Sequence, residues 1–260
     1  MSRPASWLAP PWAGPHVGAL MSTREGGLSD GPFASMNLGI AVGDVPERVA
    51  ANRARFAAAC GAAPVFLRQV HGTRVVRIGA ADTLPEAPLH DADASVTTEP
   101  GLACTVQVAD CLPVLFAAPA GKGVAAAHAG WRGLAAGVLE ATVASLCEAA
   151  RCRPRDLDAW LGVCIGPCAF EVGADVLEAF GVAPGGPDPR RFVPTQPGKW
   201  LADLAGLARD HLAAAGVEQV SAALGCAVED ASRFFSYRRD RVTGRMAAAV
   251  WIAGGRALGG

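Results

Sequence analysis

Three residues of metal-binding type stand where apolar runs of this chain end. They are His71 in Arg68-Gln-Val-His71-Gly72, Cys111 in Ala109-Asp110-Cys111-Leu-Pro113, and His128 in Val124-Ala-Ala-Ala-His128-Ala-Gly130-Trp-Arg132-Gly133. One Cys and two His suit zinc, and three protein ligands leave a tetrahedral position open for water or substrate, as catalytic sites do. Separations of 40 and 17 residues match no compact ligand motif, and a lone His or Cys at a strand end is more often structural, so spacing alone leaves both readings open. The His128 stretch adds a second feature. An apolar run that reads as a buried strand delivers the imidazole into a Gly-x-x-Gly turn, and the segment from Leu134 to Leu146 then carries helical periodicity. Arg132 and the first amides of that helix face one crevice, where dipole and free N–H groups favour an anion.

The elements that must position these residues alternate only in places. Met21 to Gly39 is rich in turn formers and reads as a loop held against something. Asp44, with Pro46 and Glu47 behind it, starts a helix that runs through Ala59 to a Gly61 cap. Strands are expected at Val65 to Val70, Val75 to Ile78, Leu102 to Val106, Leu112 to Phe116, Val124 to His128, Ala159 to Ile165, Val217 to Leu224 and Met246 to Ile252. Later helices are expected over Gly173 to Phe180 and Trp200 to Ala215. Strand pairs joined by a few residues argue against a strictly alternating parallel sheet, and no Gly-x-Gly-x-x-Gly follows a strand. The pattern is mixed α/β.

Composition narrows the partners. The 260 residues can bury a large core, no linker-like stretch divides them, and the expectation is one domain over 1–260 with a partly irregular segment over 1–20. Twenty-three basic and 24 acidic residues leave a net charge of -1 with no basic block, so no nucleic-acid footprint is present. No basic and apolar leader or spanning apolar run stands out, which points to the cytoplasm and away from a membrane. The eight cysteines lie mostly among apolar residues and read as reduced and buried. Cys164 and Cys168 in Gly-Val-Cys-Ile-Gly-Pro-Cys lack the further ligands of a closed zinc site, and read as small hydrophobes.

Eight motifs occur in order between Ser22 and Ile252: Ser22-Thr-Arg-Glu-Gly-Gly, Asn37-Leu-Gly39, Gln69-Val-His-Gly72, Asp91-Ala-Asp93, Ala109-Asp-Cys-Leu-Pro113, His128-Ala-Gly-Trp-Arg-Gly133, Ile165-Gly-Pro-Cys168 and Phe235-Ser-Tyr-Arg-Arg-Asp240. Together they resemble the YfiH family, the bacterial laccase-domain family. The resemblance implies a single α+β domain holding zinc on His71, Cys111 and His128, and purine nucleoside phosphorylase activity with adenosine deaminase and methylthioadenosine phosphorylase activities in the same site. Its partners would be purine nucleosides and inorganic phosphate. One departure is Val108, where relatives usually carry Thr, which puts in doubt a substrate hydrogen bond from that hydroxyl.

Phosphorolysis asks for oxyanion-holding groups and a proton for the departing purine. Arg132 and Arg68 are the best phosphate clamps, since guanidinium grips oxyanions bidentately; the alternatives are a surface arginine and a strand-end ion pair. Arg24 lies in a turn-rich loop able to fold over the pocket. Asp110 would orient a ligand or protonate the base, or else shape a turn. Asn37 would read a base edge or sugar hydroxyl, or else form a turn. The resemblance leaves two alternatives for the same site: a peptidoglycan-editing hydrolase acting on a cytoplasmic muropeptide precursor, and a copper polyphenol oxidase. The latter sits badly with five His in all, of which His16, His90 and His211 fall outside the ligand motifs.

Overall fold

Two nearly continuous apolar runs, Leu112–Ala117 and Val124–Ala129, form the middle of the molecule, because a strand covered on both faces needs apolar side chains at every position. The computed structural model describes residues 4–254 apart from 85, 184 and 187. In chain order its strands are β1 (Val17–Met21), β2 (Ala63–Val65), β3 (Val75–Arg77), β4 (Ala94–Thr97), β5 (Leu102–Val108), β6 (Leu112–Ala117), β7 (Val124–Ala129), β8 (Asp158–Leu161), β9 (Glu171–Val172), β10 (Phe192–Gln196), β11 (Lys199–Ala202), β12 (Gln219–Ala222) and β13 (Met246–Ile252). Its helices are α1 (Pro46–Cys60), α2 (Trp131–Ala135), α3 (Val138–Ala150), α4 (Ala174–Ala179), α5 (Leu204–Ala214) and α6 (Tyr237–Asp240).

The strands build a six-stranded sheet of order β12-β8-β6-β7-β4-β3, a four-stranded sheet β1-β13-β5-β2 and a small sheet β10-β11-β9. Side-chain alternation assigns the layers. Leu112, Val114 and Phe116 of β6 pack with Leu139, Val143 and Leu146 of α3 and with Leu207 and Leu212 of α5. Leu115 and Ala117 face the other way, into the interior between the sheets, where they meet Val106 of β5 and Val250 of β13. The outer face of the four-stranded sheet, through Leu20, Ala103 and Ala249, is closed by Phe56 of α1 and by Trp7. The chain is thus one α+β domain of mixed sheets flanked by helices, as the family resemblance implied.

Several expected elements are redrawn. Within 4–20, Trp7 packs against Phe56 with ring centroids 5.6 Å apart, Leu8 bridges Met21, and β1 begins at Val17. The helix expected over Leu134–Leu146 is two helices, since Gly137 adopts φ 98°, a left-handed conformation cheap only for glycine. Trp200 to Ala202 is strand, and the helix starts after Asp203, whose carboxylate caps the Gly206 amide at 2.8 Å. Val65 to Val70 shortens to β2 plus a single bridge from Arg68 to Asp91. The run from Ala159 to Ile165 shortens to β8 with a bridge from Cys164 to Cys226. Among the described residues no helix is long and apolar enough to cross a membrane.

Phe116 is fully buried between β6 and the helical layer, whereas Leu224 is 90% exposed. Phe116→Ala is expected to cost about 3–5 kcal/mol of unfolding free energy in denaturant titrations, and Leu224→Ser to stay within about 0.5 kcal/mol of the parent.

Candidate metal centre

Strand register brings the three metal-type residues together. Leu112 of β6 pairs with Ala129 of β7, so Cys111 and Gly130, one step beyond each, face one another across the hairpin. Ala94 of β4 pairs with Ala127 of β7, which sets Asp93 beside His128; the His128 amide donates to the Asp93 carbonyl at 2.7 Å. The bridge from Arg68 to Asp91 then lays 68–72 alongside 91–93 and delivers His71 to the same corner. Long separations in sequence therefore become short ones in space. Cys111 Sγ lies 3.8 Å from His71 Nε2, and ligand atoms of His71, Cys111 and His128 all fall within 4.8 Å of one another.

Asp93 organises this corner. Its fully buried carboxylate accepts the amides of Val70 at 3.1 Å, His71 at 2.9 Å and Gly72 at 2.7 Å, and the Nδ1–H of His128 at 2.8 Å. Burial works against its charge, but the His128 bond and the amide bonds hold its pKa below the usual carboxylate range. With Nδ1 committed to Asp93, His128 turns Nε2 toward the site, the arrangement by which a carboxylate orients a ligating imidazole. Asp93 was visible as part of Asp91-Ala-Asp93, yet no role could be read for it. A carboxylate one residue before a strand that pairs with the ligand strand was the available signal.

The donor set fits a metal ion. Burial resists ionisation of Cys111, but the charge and hydrogen bonds of His128 and His71 hold its thiol down at about 6. Burial likewise opposes charge on His128, and the Cys111 thiolate and Asp93 push it up to about 9. A thiolate beside two histidine rings is the donor set of a soft or borderline cation site, and a bound cation would displace the Nε2 proton that His128 carries without it. Gly130 keeps one side of it clear, since a Cβ there would stand 2.8 Å from His71 Cδ2 and 3.2 Å from Cys111 Sγ. His71 and Asp110 both take positive φ, 61° and 96°, so the backbone flanking the ligands is held in conformations that only a surrounding fold sustains.

Of the other expected site residues, some reach this corner and some do not. Asp110 adjoins Cys111; its Oδ2 accepts the Arg238 amide at 2.6 Å, and its Oδ1 is buried with no hydrogen-bond partner among the described residues. It does not orient a ligating His, because Asp93 already fills that place. Arg132 is exposed two residues beyond Gly130, with its guanidinium 4.2 Å from the Trp131 ring. The helix behind it has only five residues, so less dipole backs an anion than a helix through Leu146 would supply. Arg68 pairs with Asp91 at the surface.

Asn37 is a correction. Its Nδ2 donates to Gly39 and Asp44, its Oδ1 accepts the Gly39 and Arg245 amides, and no donor or lone pair remains for a base edge. Arg24 donates through Nε to the Ala34 carbonyl and through Nη1 to the Ala231 carbonyl, which ties its loop down. Val108 is buried between the sheets, so the side chain at that position belongs to the core and not to a substrate contact.

A family model described as multi-copper polyphenol oxidoreductase laccase matches residues 18–253. The chain belongs to this family. The Escherichia coli K12 protein named purine nucleoside phosphorylase YfiH is 48% identical over 249 residues, 94% of this chain and 98% of its own. A Pseudomonas aeruginosa protein, also named purine nucleoside phosphorylase, is 48% identical over 250 residues, covering 95% of this chain and 98% of its own. The crystal structure of a Neisseria meningitidis protein of family DUF152 superposes with a TM-score of 0.86 at 45% identity, over 96% of this chain and all of that one. Members of this laccase-domain family thus share the whole fold described above.

Asp93→Asn keeps the shape of the side chain but removes the charge and one acceptor. Metal affinity, read by competition with a chromogenic chelator, is expected to fall by about 10–100-fold. In metal-stripped protein a pKa of about 6 makes Cys111 a thiolate above that value and a thiol below it. Its alkylation by iodoacetamide should therefore fall as the pH drops through about 6, whereas Cys60 and Cys104, pushed up to about 12 by burial, stay unmodified in the folded protein at neutral pH.

Proposed function

We infer that this protein is a zinc-dependent purine nucleoside phosphorylase, acting on inosine, adenosine or methylthioadenosine, with adenosine deamination in the same site. The observation that carries the reading is the convergence of His71, Cys111 and His128 on one corner with one side left open by Gly130. Three ligands with an open position are a catalytic arrangement, and a Cys with two imidazoles suits zinc. Relatives 48% identical over nearly the whole chain bear the name purine nucleoside phosphorylase, which supports the substrate class. Action in the cytoplasm, where nucleosides and phosphate are both present, accords with it.

Copper chemistry of the kind in the family's description draws on several metal positions. Among the described residues one group of three metal-type side chains converges. His90 and His211 are engaged elsewhere, by Asp82 and Glu140, each at 2.6 Å. Zinc at one centre is the better match to this donor supply.

In this reading zinc, when bound, supplies Lewis acidity toward an oxygen of substrate or water. The chain's own residues do the rest. Asp93 keeps His128 in one tautomer and holds the His71 loop, so the ligands need no reorganisation. Phosphorolysis forms a bond from a phosphate oxygen to the anomeric carbon while the bond to the purine nitrogen breaks, and the departing base needs a proton. Asp110, with one carboxylate oxygen uncommitted, stands next to Cys111 to supply it. Arg132 meets the incoming anion at the exposed rim, and Arg68 can join only by leaving Asp91.

Elemental analysis should find about one zinc per chain, lost in Cys111→Ala together with activity; Cys164→Ala and Cys168→Ala should keep both. Base release from inosine should require inorganic phosphate and yield ribose 1-phosphate. Arg132→Met should slow it by roughly 100-fold, about 2.7 kcal/mol of transition-state stabilisation, and affect adenosine deamination far less. Copper at the centre with oxidase activity would overturn the assignment, and base release undiminished without phosphate would replace phosphorolysis by hydrolysis.

A further inference from the structure

One arginine beside the metal centre was singled out by no sequence motif. Arg245 immediately precedes β13, whose first residue, Met246, pairs with Val108 of β5. The register therefore sets Arg245 opposite Ala109, against the turn that carries Asp110 and Cys111. Its stem is fixed: the amide donates to Asn37 Oδ1 at 2.9 Å, and the side chain crosses Gly39 so closely that a Cβ there would lie 2.8 Å from Arg245 Cγ. This contact accounts for Asn37 and Gly39 standing together in one motif, because both hold Arg245.

The tip of the side chain is under-used. Nη1 donates to the carbonyls of Thr243 at 3.1 Å and Gly244 at 3.0 Å, which orients the guanidinium plane. Among the described residues, Nε and Nη2 donate to no protein acceptor, and no carboxylate pairs with the group. Arg68, Arg239 and Arg191 differ in each having an aspartate partner. Tyr237, 49% exposed, flanks the guanidinium with its ring centroid 5.9 Å away. The charged groups facing Arg245 are Cys111 and Asp110, with the Tyr237 hydroxyl third; burial pulls its pKa down and these three oppose the fall. A partly buried guanidinium with its fork unoccupied bears a desolvation cost that a bound oxyanion would offset.

We propose that Arg245 holds the oxyanion substrate, inorganic phosphate, at the inner side of the His71, Cys111, His128 centre, with the Nε and Nη2 donors as its grip. The assignment rests on the phosphorylase reading for the identity of the anion, and it places the grip deeper than the exposed Arg132. Asn37 and Gly39 are positioning residues for it. The negative charge of Cys111 does not exclude the anion, since the metal and Arg245 together supply the compensating positive charge.

The test uses the zinc-loaded full-length protein and inorganic phosphate alone, followed by calorimetry, with inosine kinetics as a second arm. Wild type should bind phosphate saturably. Arg245→Met should weaken that binding by at least about 30-fold and raise the apparent KM for phosphate in parallel, while the KM for inosine moves less than about 3-fold and zinc content stays at the wild-type level. Arg245→Lys keeps stem and charge without the paired donors, and should weaken binding by about 10-fold; it also serves if the Met variant does not fold. Phosphate bound equally by wild type and these variants, or not bound by wild type at all, overturns the proposal. Phosphate bound through Arg245 with base release that needs none would leave the subsite standing and remove the phosphorylase reading.

Discussion

A single buried carboxylate, that of Asp93, ties the turn bearing His71 to the strand bearing His128. It takes three backbone amides from the 70–72 turn and the Nδ1–H of His128, so it joins the loop that carries one ligand to the strand that carries another. A carboxylate fully withdrawn from water is tolerable only when its lone pairs are this well occupied, and the same bonds that keep it ionised orient the His128 ring and fix the His71 backbone. The β6–β7 hairpin adds Cys111 by register alone. The positive φ at His71 and at Asp110 is sustained by these bonds and by the Asp110 contact with α6.

The layered core explains how so exact a corner can be held. Both faces of β6 and β7 are covered, by α3 and α5 on one side and by the four-stranded sheet on the other, so the strand ends that bear Cys111 and His128 have little freedom to shift. Small residues at β7, Ala125 to Ala127, let the layers approach closely, and Gly133 lets α2 lie against the Gly72 carbonyl, where a Cβ would come within 2.8 Å. Packing therefore sets the separation of His71, Cys111 and His128.

The charge pattern around the centre is graded. Nearest the ligands, Cys111 is held as a thiolate and His128 as its partner; farther out, Asp110 keeps one oxygen free and Arg245 its guanidinium fork. At the rim Arg132 lies on Trp131.

How much was legible in the chain itself differs by element and by residue. The apolar runs Leu112 to Phe116 and Val124 to His128 announced buried strands, the Gly61 cap ended α1 where expected, and the motif order identified the family, because these signals are local or, for the motifs, collinear. His71, Cys111 and His128 were recognisable by type, but their convergence was not, since it depends on a hairpin register and a bridge between 68 and 91. The same limit hid Asp93 and Arg245, whose partners lie far away in sequence, and it left Asn37 and Arg24 open between ligand contact and scaffold. Only the tertiary structure decided those, because whether a polar group is free or spent depends on which distant backbone atoms the fold brings against it. The residue types and the order of elements were set by the sequence alone; the sharing of hydrogen bonds, and with it the division of labour in the site, was set by packing.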